Sequence, residues 1–156
     1  MEFMDNNLFS SIEKYIRDRT VIVGIGNMLK ADDQLGPVLV SRLKGRTGAC
    51  LFDCGEVPEN YIHPIIEAKP KTIIIVDASD WGGVAGELRL IKREEIENFG
   101  FSTHNASLGI FFDYLKRELP LANIVIIGVQ VGRRGLMQPL SPEVEVTLNG
   151  LIDFLV

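Results

Sequence analysis

Thr72-Ile-Ile-Ile-Val-Asp77 restricts the fold more than any other stretch: four consecutive apolar β-branched residues, closed by an acid. A strand with one wet face alternates apolar and polar residues. A run that is apolar on both faces needs cover on both, as in a parallel sheet lined by helices. Thr20-Val-Ile-Val-Gly-Ile25 and Asn123-Ile-Val-Ile-Ile-Gly-Val129 have the same character, and Cys50-Leu-Phe-Asp53 reads as a fourth strand. Glu87-Leu-Arg-Leu-Ile91 alternates instead, which predicts an edge strand or hairpin arm.

Helical patterns separate these strands. Residues 8–18 place Leu8, Ile12, Tyr15 and Ile16 on one face, with Asp5 to Asn7 as capping candidates. Helices are also predicted from Leu35 to Lys44, Pro58 to Glu67, Glu94 to Asn98 and Asn105 to Glu118. Ser141-Pro142-Glu143 starts a last one, with Ser at the N-cap, Pro at the first position and an acid near the positive dipole end. The expected fold is a three-layer α/β/α sandwich, with a doubly wound, mostly parallel five-stranded sheet and one antiparallel edge strand. No repeat or linker divides residues 1–156, so a single domain is expected.

A chain of this size buries roughly 70% of its unfolded surface, so neither a disulfide nor a structural metal is needed to support the core. The net charge of −5, with Arg133-Arg134 as the most basic dipeptide, disfavours nucleic acid and anionic membrane as partners. The start of the chain has no basic segment leading into an apolar one, and the apolar runs are strand-sized. A cytoplasmic location is therefore expected. Cys50 and Cys54 on one strand would lie about 13 Å apart, beyond the ~7 Å a disulfide tolerates. Free thiols suit the cytosol.

Ligands of open α/β sheets bind beyond the carboxyl ends of the strands. Asp32 and Asp33 follow the first strand, Asp53 closes the second, Asp77 the third and Gln130 the last; Thr103-His104-Asn105 precedes a helix. Four acids and one of two histidines would thus share one edge. Carboxylate oxygen and imidazole nitrogen suit borderline divalent metals such as Ni²⁺ or Zn²⁺, and clustered carboxylates without a cation would repel. Structural roles compete with this reading. Asp32, rather than Asp33, could cap the following helix. Asp53 could accept loop amides or serve as a base. His104 could be an N-cap neighbour without a ligand, and His63 reads as a surface or packing residue. Asp77 has nothing basic near it in sequence, which favours a functional role there.

Three common motifs fail. Gly24-Ile-Gly26 opens like a dinucleotide fingerprint, but Leu29 replaces the third glycine. There is no Gly-Lys-Ser/Thr phosphate loop and no Gly-x-Ser-x-Gly elbow. Nothing in the sequence orients Cys54 against a histidine as a nucleophile.

Gly24-Ile-Gly-Asn-Met-Leu-Lys-Ala-Asp-Asp-Gln-Leu-Gly36-Pro37 resembles the opening motif of the hydrogenase maturation endopeptidases. Asp53-Cys-Gly-Glu-Val-Pro-Glu-Asn60 resembles their Asp-Gly-Gly segment, closest in look to proteases serving the formate-linked hydrogenase 3, with Cys54 in place of the middle glycine. Ile74-Ile-Val-Asp-Ala78, Thr103-His104-Asn105, Gly128-Val-Gln130 and Leu140-Ser-Pro142 are similar to the remaining signatures. The likeness covers about residues 20–156 and leaves residues 1–19 as an extra N-terminal helix. It implies removal of a C-terminal extension from the [NiFe] hydrogenase large-subunit precursor after nickel insertion. The catalytic and metal-contacting residues would be Asp33, Asp77 and His104, and the nickel would be that of the precursor; another divalent metal such as zinc could bind the isolated protein. Two other readings remain open at this point: a receiver-like phosphoacceptor domain with Asp77 as acceptor, and a non-catalytic nickel-binding maturation chaperone. The receiver reading lacks its lysine after the last central strand, where Gly132-Arg133-Arg134 stands.

Overall fold

The β-branched runs lie side by side. In the computed structural model, which describes residues 6–14, 16, 19–103 and 105–156, the order is α1 (Asn6–Glu13), β1 (Thr20–Gly24), α2 (Leu35–Leu43), β2 (Cys50–Asp53), α3 (Ile62–Glu67), β3 (Thr72–Asp80), β4 (Leu88–Ile91), β5 (Gly100–Phe101), α4 (Asn105–Glu118), β6 (Asn123–Gln130) and α5 (Pro142–Leu155). Short 3-10 turns occupy Ala31–Gln34, Pro58–Tyr61 and Arg93–Asn98. The sheet order is β2-β1-β3-β6-β4. The first four of these strands are parallel, and β4 runs antiparallel along the β6 edge.

The five expected strands are all present. The sixth, β5, pairs antiparallel with the end of β3 through Ser79–Phe101 and Asp80–Gly100; two residues are too few to show a period. Because β5 and β6 both offer partners there, β3 continues past Asp77 to Asp80. Asp77 therefore does not close its strand, as the sequence suggested, but sits inside it.

Side chains alternate across the sheet into two cores. Ile22, Ile74, Val76, Ile127 and Val129 meet Leu35, Leu39 and Leu43 of α2 and Leu148 and Leu151 of α5. On the other face Val21, Val23, Ile73, Ile75 and Ile126 meet Ile65 of α3 and Leu108, Phe111 and Leu115 of α4. Each such side chain contributes about 1.5–3 kcal/mol relative to exposure. Leu8, Ile12 and Ile16 pack on the first core as their spacing predicts, although α1 ends at Glu13; Tyr15 lies outside the described residues.

The chain leaves β1 through α2 to reach β2 on one side, then returns through α3 to β3 on the other. The crossovers thus cover opposite faces, and the carboxyl ends of β1 and β3 form the switch point where such sheets bind ligands. Glycines set the approach there. A Cβ on Gly24 would lie 2.3 Å from the carbonyl O of Gly36, one on Gly36 2.3 Å from that of Ile25, and one on Gly26 1.9 Å from that of Asp33. The Gly-x-Gly pattern thus allows α2 and its leading turn to touch β1 backbone to backbone, which seats Asp33 over the strand end.

Candidate functional site

Asp77 shares its face of the sheet with Ile73 and Ile75 and is 0% exposed. The Ser102 amide donates to its Oδ2 at 3.2 Å, and the Ser102 hydroxyl donates to its Oδ1. Burial holds the Asp77 carboxyl well above the usual carboxylate range. The Ser102 bonds oppose this rise, the Asp33 charge adds to it and the Arg134 charge subtracts.

Asp33 emerges from the 3-10 turn after β1 and is also buried. Its Oδ1 accepts the Nε–H of Arg134 at 3.0 Å. Burial raises its carboxyl too; Arg134 and then Lys30 pull it down, and Glu56 pushes it up. The structure therefore brings two of the predicted acids, Asp33 and Asp77, within each other's electrostatic reach at the switch point. Between them acts Arg134, which also donates from Nη2 to the carbonyl O of Gly100 at 3.2 Å. Sequence reasoning missed Arg134 as a site residue; its only signal was one half of a basic dipeptide after the last strand.

The other acids do not join them. Asp32 does not cap the helix that follows, since neither the 3-10 turn nor α2 has a side-chain cap bond at its start. Its carboxylate instead accepts the amides of Gly132, Arg133 and Ser141 and the hydroxyl of Ser141. Asp53 is exposed and accepts the Gly55 amide at 3.1 Å, the loop-amide role considered for it. Gln130 fastens the loop after β3: its Oε1 accepts the amides of Trp81 and Gly83, and its Nε2 donates to Asp80.

Thr103 is buried and donates its hydroxyl to the carbonyl O of Glu56 at 2.7 Å. The next residue, His104, lies outside the described residues. His63 is exposed on α3. Cys50 and Cys54 are both free, as their spacing requires. Burial, with the Asp53 charge adding, pushes the Cys54 thiol up to about 12, which removes it as a nucleophile. Cys54 also has no positive φ, so a side chain at this position strains nothing. Among the described residues, no three His, Cys, Asp or Glu side chains assemble as a cation site; Asp33 and Asp77 supply two carboxylates.

A doubly wound sheet with two interacting carboxyl groups at its switch point, and its buried thiol protonated, defines an α/β protein with an acidic site. Residues 37–156 match the family described as HycI, hydrogenase maturation protease. The hydrogenase 3 maturation protease of Escherichia coli K12 is 32% identical over 80% of this chain and 81% of its own. The crystal structure of a [NiFe] hydrogenase maturation protease HycI from Thermococcus kodakarensis superposes with a TM-score of 0.78 at 33% identity, covering 92% of this chain and 94% of that one. The solution structure of the endopeptidase HycI from Escherichia coli gives 0.78 at 30% identity, covering 87% and 88%. The chain belongs to the hydrogenase maturation protease family and is an endopeptidase. Among its described residues, no helix is long and apolar enough to cross a membrane.

Proposed function

We propose that this endopeptidase removes the C-terminal extension of the [NiFe] hydrogenase large-subunit precursor once nickel has been inserted. The observation that carries the reading is that Asp33, in the turn after β1, and Asp77, one residue beyond the last β1–β3 pair, lie close enough for the Asp33 charge to raise the Asp77 carboxyl. The relative from Escherichia coli K12 is named for hydrogenase 3, which supports a substrate of this class.

Nickel enters as cargo of the substrate. Asp33, Asp77 and His104 reach it with two carboxylates and an imidazole, a donor set suited to borderline divalent ions. A precursor without nickel offers no anchor. A difference of about 4 kcal/mol in binding gives roughly a thousandfold preference for the filled precursor. The reaction belongs to the cytoplasm, where two free thiols persist.

The receiver reading is set aside by the family match over residues 37–156, which is to a protease. The test is intact mass of the large-subunit precursor, nickel-loaded and empty, after incubation with the protein. Shortening of the loaded form alone by the wild type, and of neither form by Asp33→Asn, Asp77→Asn or His104→Gln, is expected. Equal cleavage of the empty precursor would overturn the nickel-reading role.

A further inference from the structure

We propose that Arg134 is a built-in counter-ion that keeps free divalent cations off Asp33 and gives way only to a cation presented by a macromolecular substrate. The inference rests on the reading of Asp33 as a metal-contacting group and adds a residue that sets its selectivity.

The geometry has three parts. First, Arg134 is the outer member of the pair: its side chain is 34% exposed and that of Asp33 is 8%. Second, the guanidinium is held on both sides, by Asp33 Oδ1 at 3.0 Å and the Gly100 carbonyl O at 3.2 Å. Third, its position is built in. The segment carrying it is fixed through the Gly132 and Arg133 amides, which donate to Asp32 Oδ2 at 2.6 and 2.8 Å. Arg133 adds to this by donating to the carbonyls of Pro139 and Leu140. The other charges felt by Asp33 are Lys30, Glu56 and Asp77.

A buried carboxylate is costly without a partner, so ionised Asp33 needs a positive charge beside it. Arg134 supplies one. A free dication must displace the guanidinium and tolerate its positive charge nearby, a repulsion that partial burial strengthens. A cation embedded in a protein brings further contacts, which offset the loss of the ion pair. Discrimination then comes from an unfavourable element directed at the unwanted ligand.

The experiment is calorimetric titration of the whole protein with NiCl₂ at constant ionic strength. The variants are Arg134→Gln, Arg134→Lys, Asp33→Asn and the Arg134→Gln/Asp33→Asn double. Circular dichroism checks folding, and Arg134→Met, which keeps the aliphatic stem, replaces the glutamine variant if that one unfolds. Arg134→Gln is expected to bind Ni²⁺ tighter than wild type by about tenfold or more; Arg134→Lys stays close to wild type, and the double variant loses the gain. A merely structural arginine would not raise cation affinity when removed. Affinity unchanged or weaker in Arg134→Gln, with wild-type binding still abolished by Asp33→Asn, would overturn the role of Arg134 and leave the metal reading standing. Absence of Asp33-dependent binding in every variant would also overturn the role of Arg134, and the precursor assay then decides the metal reading separately.

Discussion

Asp32 accepts two hydrogen bonds of 2.6 Å from Ser141, one from its backbone N–H and one from its hydroxyl. Ser141 occupies the N-cap position of α5, as the sequence predicts, yet it makes no side-chain cap bond to that helix. Its hydroxyl is given to Asp32 instead. Together with the amides of Gly132 and Arg133, this suspends the segment before α5 from the residue beside Asp33, and so determines where Arg134 emerges.

Breaking that suspension is expected to cost stability. Ser141→Ala removes one charge-assisted bond from a buried carboxylate, a loss of about 1.5–3 kcal/mol. Asp32→Asn places an amide among four donors and is expected to cost more. Urea denaturation gives the comparison; a difference under about 0.5 kcal/mol for both variants would show that the segment is held by other contacts.

Asp77 carries a stability signature. Its folded value lies above the ordinary 3.8, so folding favours the protonated form. That contribution is complete below 3.8 and fades as pH rises through the folded value. Ionised Asp77 therefore costs stability at neutral pH. Asp77→Asn cannot ionise, and rotation of the Ser102 hydroxyl lets an amide keep both contacts. A higher Tm than wild type at pH 7, with the gap closing toward pH 4, is expected by scanning fluorimetry, alongside lost processing. A Tm below wild type throughout that range would contradict it.

The two thiols differ in environment. Cys50 is exposed, whereas Cys54 is buried with its thiol pushed up to about 12. Since the thiolate is the reactive form, iodoacetamide on the native protein is expected to label Cys50 and spare Cys54, with both labelled in guanidinium chloride. Peptide mapping reads the outcome; rapid native labelling of Cys54 would mean that its strand end opens.

Gly36→Ala probes the approach of α2 to β1. The added Cβ would sit 2.3 Å from the Ile25 carbonyl O, a backbone atom that cannot swing aside. A loss of about 1–3 kcal/mol is expected from this overpacking. Processing is expected to fall further than stability, because Asp33 rides on the displaced turn. Wild-type stability together with wild-type processing would show that the contact has slack.

Much of the architecture was legible along the chain. Runs such as Ile73-Ile-Ile-Val76 state their own solvent cover, because an apolar residue on each face of a strand needs a helix on each side. Leu88–Ile91 alternates and proves to be the antiparallel edge. The ends of β1 and β3 follow from the order of strands and helices, so Asp33 and Asp77 could be named as site candidates from sequence alone.

Only the tertiary structure decided what those acids touch. Asp32 and Asp33 are neighbours in the chain, yet one suspends the segment before α5 and the other pairs with Arg134, each roughly a hundred residues away in sequence. β3 continues past Asp77 because β6, and then the two-residue β5, offer it partners, and Ser102, the residue after β5, closes over the buried Asp77 carboxyl. Periodicity records how each residue meets solvent, a property local to its element. Which loop closes over which carboxylate depends on where distant segments come to rest, and no window of sequence contains that.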